Sequence, residues 1–300
     1  MGARHARSTL THMLSGPFAA ARPLARRIRT QLRRFGLAPG ARGVGRAASS
    51  DADAIAFRCN LCGAANRAAH EALDRERPSC TVCGSNVRFR AIGRLVAREL
   101  TGRDVALSDL PRAKEVRGLG LSDADAYAVP FADKFDYVNT YFHTEPRLDI
   151  ADTDVTRYGG RDFIVASDVF EHVAPPVARA FANAHALLRD GGKLIFTVPF
   201  TLDPDTVEHF PELHDWRLEE CDGRWRLRNH TADGRETLHD DLIFHGGPGT
   251  TLEMRVFSQA ALLREFERAG FSRVRIAAEP CLEFGIHWPE PWSVPMVAYR

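Results

Sequence analysis

Short apolar segments alternate with segments of helical periodicity from about residue 86 onward. Apolar residues at helical spacing predict helices over 86–100, 177–188 and 258–269. Short apolar runs predict strands near 115–123, 135–139, 147–150, 163–166, 194–198, 274–276 and 294–298, the first of which runs into a glycine turn. This alternation predicts a mostly parallel sheet with helices on both faces and right-handed crossovers.

One long segment interrupts the alternation. Residues 201–255 separate a predicted strand from the next predicted helix and are far longer than a usual connection. The segment carries five of the twelve histidines of the chain, which are His209, His214, His230, His239 and His245. Long ordered segments are often functional, so we expect a substrate lid or an acceptor site here. A bland surface insertion and a second metal site with carboxylate help are the alternatives.

Charge divides the chain into a basic tail and an acidic body. Residues 1–50 contain ten of the 40 basic residues and no acidic residue, so residues 51–300 carry 30 basic against 39 acidic residues, a net charge of −9. We expect the tail to be a poorly ordered extension. The alternative is an arm for targeting or for binding anionic surfaces.

No targeting or membrane segment stands out in the chain. No apolar run approaches the roughly 20 residues that span a bilayer. The tail also lacks the continuous apolar stretch of a secretory signal. We therefore expect a cytosolic, or cytoplasmic, protein.

Four of the six cysteines form one pattern. Cys59 and Cys62 lie in one Cys-x-x-Cys-Gly segment, and Cys80 and Cys83 lie in a second, with residues 63–79 between the pairs. Two such turns bring four thiolates together, which completes the tetrahedral coordination of zinc and leaves no position for a catalytic water. Two disulfides and a thioredoxin-like redox pair are the alternatives. We expect a structural zinc ribbon.

The most specific motif lies in residues 162–199. The segment DFIVASDVFEHV (162–173) is followed by an alanine-rich helix and then by LLRDGGKLIFTVP (187–199). This order resembles the Rossmann-like S-adenosylmethionine-dependent methyltransferases, in which a D-x-x-E-H-V segment follows the fourth strand and an L-L-x-x-G-G-x-L turn leads into the fifth. The resemblance extends from about residue 113 to 300. It implies an α/β fold with a doubly wound, mostly parallel, seven-stranded sheet.

The resemblance and the cysteine pattern together predict three parts. Residues 1–50 form the basic tail, and residues 51–102 form the four-cysteine zinc ribbon with its linking helix. Residues 103–300 form the Rossmann-like methyltransferase domain, with a histidine-rich insertion at about 201–256. The implied cofactors are S-adenosylmethionine and a structural zinc ion.

The resemblance also implies positions for binding S-adenosylmethionine. The family has a glycine-rich turn after its first strand, for which Gly118 and Gly120 are the candidates. An acidic residue usually ends its second strand and binds the ribose, whereas Asn139 stands there in this chain. Asp149 matches a later acidic position beside the adenine. Asp168 ends a buried strand, at the edge where doubly wound sheets bind ligands.

Histidines are the candidate catalytic residues. Methyl transfer from a sulfonium is an in-line displacement, in which the protein aligns the reactants and supplies a base where the acceptor carries a proton. Histidine titrates in the right range. We predict His172, His209 and His214 for this role. In the structural alternative, Asp168 caps the next turn and Glu171 faces solvent.

The acceptor class follows from charge and from a missing motif. An acidic body opposes binding to phosphates, and no Asn/Asp-Pro-Pro-Tyr/Phe segment of the amino-methylating type is present. We therefore predict a small molecule or a glycan intermediate as the methyl acceptor. An rRNA or tRNA base methyltransferase is the enzyme alternative. A non-catalytic zinc-ribbon scaffold with a degenerate methyltransferase fold is the other alternative.

Overall fold

The computed structural model of the protein describes residues 54–300, and the basic tail predicted over 1–50 lies outside them. The helices are α1 Val87–Thr101, α2 Asp125–Lys134, α3 Val155–Tyr158, α4 Ala178–Leu187 and α5 Gln259–Arg268. The strands are β1 Ala54–Arg58, β2 Ala65–Ala69, β3 Ala113–Leu121, β4 Phe135–Thr140, β5 Arg161–Ser167, β6 Leu188–Thr197, β7 Phe200–Thr201, β8 Val207–Glu208, β9 Asp215–Cys221, β10 Arg224–His230, β11 Glu236–His239, β12 Phe244–His245, β13 Thr251–Leu252, β14 Arg255–Ser258, β15 Arg273–Ile276 and β16 Met296–Tyr299.

The first predicted helix is present as α1. The side chain of Asn86 accepts a hydrogen bond from the backbone N–H of Phe89 and caps the helix. Gly102 ends the helix in a left-handed conformation, φ 71°, where the absence of a Cβ removes the strain. The helix follows the second cysteine pair directly, so it links the cysteine region to the sheet.

The central sheet has six strands in the order β15-β16-β6-β5-β3-β4. Strands β4, β3, β5 and β6 run parallel, and β16 is antiparallel to both β6 and β15. The mostly parallel α/β fold is thus confirmed, with six strands in place of the predicted seven. The predicted strand at 147–150 makes only one bridge, between Tyr141 and Arg147, because the chain at 141–148 folds back on itself.

Apolar side chains pack on both faces of the sheet. On one face Phe181 of α4 and Phe266 of α5 pack against Phe196 of β6, and all three are buried. On the other face Phe131 of α2 packs edge-on against Phe163 of β5. Full burial of each such ring contributes about 2–3 kcal/mol. These two layers hold the strands in register and so fix the positions of the strand ends.

The long segment between β6 and α5 folds mainly as β-structure. Strands β9, β10 and β11 form a three-stranded antiparallel sheet, and β14 pairs with β7 and β8. A small apolar core of its own holds the segment together, with Phe210, Leu227, Leu252 and Met254 buried. The insertion is therefore an ordered β-structure with its own apolar core. Within residues 54–300, no helix combines the length and apolar character needed to cross a membrane.

Candidate functional site

The four predicted zinc ligands lie together. The Sγ atoms of Cys59, Cys62, Cys80 and Cys83 are all within 4.8 Å of one another. The Sγ atoms of Cys59 and Cys83 are 3.6 Å apart, and those of Cys62 and Cys80 are 3.7 Å apart. The glycine after each pair has a positive φ and donates its backbone N–H to the carbonyl of the first cysteine of that pair. Each turn thereby directs two sulfurs to one point.

These separations fit a tetrahedral zinc ion. Zn–S bonds of about 2.3 Å imply sulfur–sulfur distances of about 3.8 Å. The polar side chains nearby are arranged to support thiolates: the Asn66 amide donates to Cys80 Sγ at 3.5 Å, and Ser85 Oγ is 3.3 Å from Cys59 Sγ. All six cysteines are free thiols, so the two disulfides of the first alternative are not formed.

The turn after β3 does not lie at the predicted Gly118 and Gly120 but at Ser122. Gly118 and Gly120 are inside β3, where a Cβ on Gly118 would meet the rings of Phe163 and Tyr137. The turn itself is made by Ser122, whose φ is 58° and whose N–H donates to the Thr140 carbonyl. A serine thus has the left-handed conformation that usually favours glycine.

Side chains of the chain itself fill the space beside Gly120. A Cβ there would lie within 2.8 Å of the Tyr137 hydroxyl, the Asp123 carboxylate and the Asn139 amide oxygen. Asn139 accepts from the backbone N–H of Asp123 and donates to the Asp123 carbonyl, both at 2.9 Å. Burial raises the pKa of Asp123 to about 7, although hydrogen bonds from Tyr137 and Tyr127 act to lower it. Asn139 therefore closes the turn after β3.

Asp149, a predicted cofactor residue, lines an open pocket. Leu148, Asp152 and Tyr158 line the same pocket. The Asp149 carboxylate accepts the backbone N–H of Ala151 at 2.9 Å, which orders the loop beyond the bridge at Tyr141. An acceptor oxygen is thus held beside this pocket, on the β4 side of the sheet.

Asp168 ends β5 in a left-handed conformation, φ 55°, and is held by two arginines. Arg75 donates to both carboxylate oxygens, at 2.8 and 3.0 Å, and Arg88 Nη1 is 3.3 Å from Oδ2. Burial alone would raise the pKa of Asp168, but the two guanidinium groups outweigh it and hold the pKa below its usual range. Thr197 of β6 also donates to Oδ1. Asp168 thus joins the region before α1 to the edge of the sheet.

Glu171 and His172 form a short 3-10 turn directly after this edge. Glu171 is buried, with 1% of its surface exposed, and does not face solvent as the structural alternative had it. Burial raises its pKa, and the charge of Asp168 raises it further. Burial also lowers the pKa of His172 to about 4, so this imidazole is neutral at physiological pH. Buried Arg255 fixes the turn by donating to the carbonyls of Phe170 and Val173.

The insertion brings further groups to this turn. Glu253 accepts from His209 Nε2 at 2.9 Å and from His245 Nε2 at 3.0 Å. Burial would raise the pKa of Glu253, but the two histidines lower it to about 2. The His245 and His172 rings meet edge to face, with centroids 4.8 Å apart. We call Glu171, His172, His209, His245 and Glu253 the Glu171 cluster.

The predicted site residues therefore fall into separate places. His172 and His209 meet in the Glu171 cluster, whereas His214 is fixed through its backbone N–H to Asn229, and its ring takes no part in the cluster. Glu171, Glu253, Arg75 and Arg88 were not predicted for the site. Glu171 lies in the D-x-x-E-H-V segment, but no spacing in the sequence relates it to residues 245 and 253.

The chain is similar to known methyltransferases. A family model described as a methyltransferase domain matches residues 71–276, and no curated protein matches the chain. The sugar N-methyltransferase KedS8 from Streptoalloteichus sp ATCC 53650 is 14% identical, with a TM-score of 0.41 over 87% of this chain and 99% of that chain. An S-adenosylmethionine-dependent methyltransferase from Clostridium acetobutylicum ATCC 824 is 10% identical, with a TM-score of 0.40 over 72% of this chain and 91% of that chain.

Proposed function

The chain belongs to the methyltransferase-domain family, and from this premise we propose that it transfers the methyl group of S-adenosylmethionine to a small molecule or a glycan intermediate. The observation that carries the proposal is the match over residues 71–276, which includes β3 to β6, the insertion and α5. The sheet order supports it, because doubly wound sheets bind ligands beyond the carboxyl ends of their strands.

The charge of residues 51–300 supports the acceptor class. Residues 51–300 carry 30 basic and 39 acidic residues, a balance that disfavours the phosphates of a nucleic acid. The Glu171 cluster adds the buried carboxylates of Glu171 and Glu253 beside the sheet edge. A neutral or cationic small molecule suits such surroundings better than a polyanion.

The residues present fit the cofactor only in part. Asp149 has a carboxylate beside an open pocket and is the position we propose for an adenosyl contact. Asn139 and Asp123 instead occupy the side of Gly120, so the turn after β3 offers no open face there. When bound, S-adenosylmethionine would supply an electrophilic methyl group. The chain would contribute alignment and the removal of a proton from the acceptor.

For the proton, we propose His209. Its Nε2 is 2.9 Å from Glu253 Oε1, the arrangement in which a carboxylate orients a histidine base. We expect His209→Gln to lower kcat by about 100-fold or more with little change in KM. His230→Ala is the matched control, because His230 lies in the same insertion but pairs with Glu236 at the exposed surface. Equal rates for both variants would remove His209 from the mechanism.

Calorimetry with S-adenosylmethionine and S-adenosylhomocysteine tests the cofactor assignment. We expect binding by the full chain and weaker binding by Asp149→Ala. Asp136→Ala is the control, because Asp136 is an exposed residue near the amino end of β4, away from the carboxyl ends of the strands. Absence of binding in the unmodified protein would favour the non-catalytic scaffold, which the closed turn at Asn139 already supports. Methylation of RNA in place of small acceptors would overturn the acceptor class.

A further inference from the structure

Glu171 is a buried carboxylate without a partner. Its exposed fraction is 1%, and neither Oε1 nor Oε2 has a hydrogen-bond partner among residues 54–300. Burying an ionised carboxylate without a hydrogen bond or a counter-charge is expensive, so such groups in proteins are paired, protonated or bound to metal. Arg75 and Arg88 are nearby, but both bind Asp168 and Glu76 and leave Glu171 unbonded.

His172 presents a free lone pair to this carboxylate. Its Nδ1–H donates to the Leu252 carbonyl at 2.9 Å, which leaves Nε2 without a proton in the neutral ring. Nε2 lies 3.7 Å from Glu171 Oε1, too far for a hydrogen bond. A backbone carbonyl that fixes the tautomer of a histidine in this way is typical of metal-binding histidines.

His245 provides a third potential ligand atom beside Glu171 and His172. One ligand atom from each of Glu171, His172 and His245 lies within 4.8 Å of the other two. His245 Nε2 bonds Glu253, so when the ring is neutral its Nε2–H is the donor and its lone pair lies on Nδ1. Glu253 thereby has the role of a carboxylate that orients a metal ligand and increases its basicity. Both oxygens of the Glu253 carboxylate are bonded, one to His209 and one to His245.

We propose that Glu171, His172 and His245 bind a divalent first-row transition-metal ion at the carboxyl edge of the sheet. Two imidazoles and one carboxylate form a ligand set that such ions accept, with coordination positions left for water or for an oxygen of a bound ligand. Ligand atoms about 2.1 Å from an ion are about 3.0–3.4 Å apart, so the ion draws the three groups slightly together. The ion supplies the positive charge that Glu171 lacks.

The charges that act on Glu171 leave it short of positive charge. Asp168 and Glu253 both disfavour its ionised form, and the opposing effect of Arg75 is smaller than that of either. The cluster contains no sulfur, which distinguishes it from the cysteine cluster and its preference for zinc thiolates. On this assignment His172 is a ligand and not a base, which leaves His209 for proton transfer. The proposal does not depend on the identity of the methyl donor.

Metal content and cobalt spectra of the full chain test the site. We expect the unmodified protein to bind two ions per chain, one in each cluster. Added Co²⁺ should give d–d bands without sulfur-to-cobalt charge transfer at the second site. Glu171→Gln and His245→Ala should each lose this second ion and its bands while they keep the sulfur-bound ion. His230→Ala should keep both ions.

Thermal unfolding separates loss of the site from loss of the fold. Added Co²⁺ should raise the Tm of the unmodified protein and of His230→Ala, and should not raise that of Glu171→Gln or His245→Ala. If Glu171→Gln fails to fold, His245→Ala decides the question, because the His245 ring lies closer to the surface.

Folded variants with undiminished metal content would overturn the proposal. So would a Glu171→Gln protein that is more stable than the original at every Co²⁺ concentration, since Glu171 would then be a neutral acid. A second ion without S-adenosylmethionine binding would overturn the proposed function alone.

Discussion

The cysteine cluster and the Glu171 cluster differ in how the chain assembles them. The cysteine cluster takes its ligands from two short turns within residues 59–83, each of which supplies a pair. The Glu171 cluster joins a turn after β5 to the end of an insertion at residues 245 and 253. The first depends on local turn geometry, whereas the second depends on the packing of the insertion against the sheet. Mutations in the two cysteine turns should therefore disturb the first cluster alone, and mutations that loosen the insertion from the sheet should disturb the second.

The largest effect is expected from the cysteine cluster. In Cys80→Ser we expect loss of the bound zinc and a decrease of upwards of about 4 kcal/mol in the free energy of unfolding, because loss of a structural metal is among the most destabilising changes. Zinc content and urea unfolding measure the two effects. Cys221→Ser is the control, since Cys221 is an exposed thiol on β9. A Cys80→Ser protein with unchanged zinc and stability would show that the cluster is not a metal site.

A smaller effect is expected where the insertion is held to the sheet. Arg255→Leu removes the buried guanidinium that bonds Phe170, Val173 and Glu208, so we expect a loss of about 3 kcal/mol. Co²⁺ affinity at the Glu171 cluster should fall as well, while zinc in the cysteine cluster is retained.

Arg217→Leu provides the comparison for this change. Arg217 is exposed and pairs with Glu219 in the same insertion, so its loss should cost less than about 1 kcal/mol in urea unfolding. Equal losses for Arg217→Leu and Arg255→Leu would contradict the special role of Arg255.

The smallest effect is expected in the pH dependence of stability due to Asp168, a carboxylate near Glu171 that, unlike Glu171, is paired with arginines. Arg75 and Arg88 both contact its carboxylate. Glu76 pairs with the same two arginines, and the charge of Asp168 acts on nearby Glu171. The folded-state pKa lies below the unfolded value of about 3.9, so ionised Asp168 contributes stability above about pH 4 that is lost as the pH falls further.

Asp168→Asn removes this contribution. The variant should be less stable than the original protein at neutral pH and should lose less stability on acidification. Urea unfolding at neutral pH and at about pH 3 measures the difference. Parallel pH profiles for the two proteins would show that Arg75 and Arg88 do not stabilise the ionised carboxylate.

Much of the fold could be predicted from local patterns. The apolar runs at 163–166 and 194–198 became parts of β5 and β6, and the periodicity at 258–269 became α5 with Ser258 as its cap. The strand predicted at 147–150 did not join the sheet. Its one backbone bridge, from Arg147 to Tyr141, is isolated and lies outside the sheet. Apolar residues in that segment are buried nonetheless, so the pattern reported burial rather than strand pairing.

The candidate site was only partly predictable. The glycines at 118 and 120 suggested a turn, but the turn is at Ser122 and is closed by a tertiary contact between Asp123, after β3, and Asn139 in β4. Arg75 lies far from Asp168 in the sequence, so their pairing has no local signature. The insertion had no helical or strand periodicity strong enough to predict its three-stranded sheet, because most residues of β9 and β10 are polar or charged and only partly buried.

The sequence alone determined the cysteine cluster and the parallel core, because a Cys-x-x-Cys turn and a buried apolar strand are both short-range features of the chain. Only the tertiary structure decided the surroundings of Glu171. Its burial, the tautomer of His172 and the approach of His245 all depend on β14 and Arg255 holding the insertion against the turn after β5. Contacts between residues so far apart in the chain arise from packing, and no spacing within the sequence encodes them.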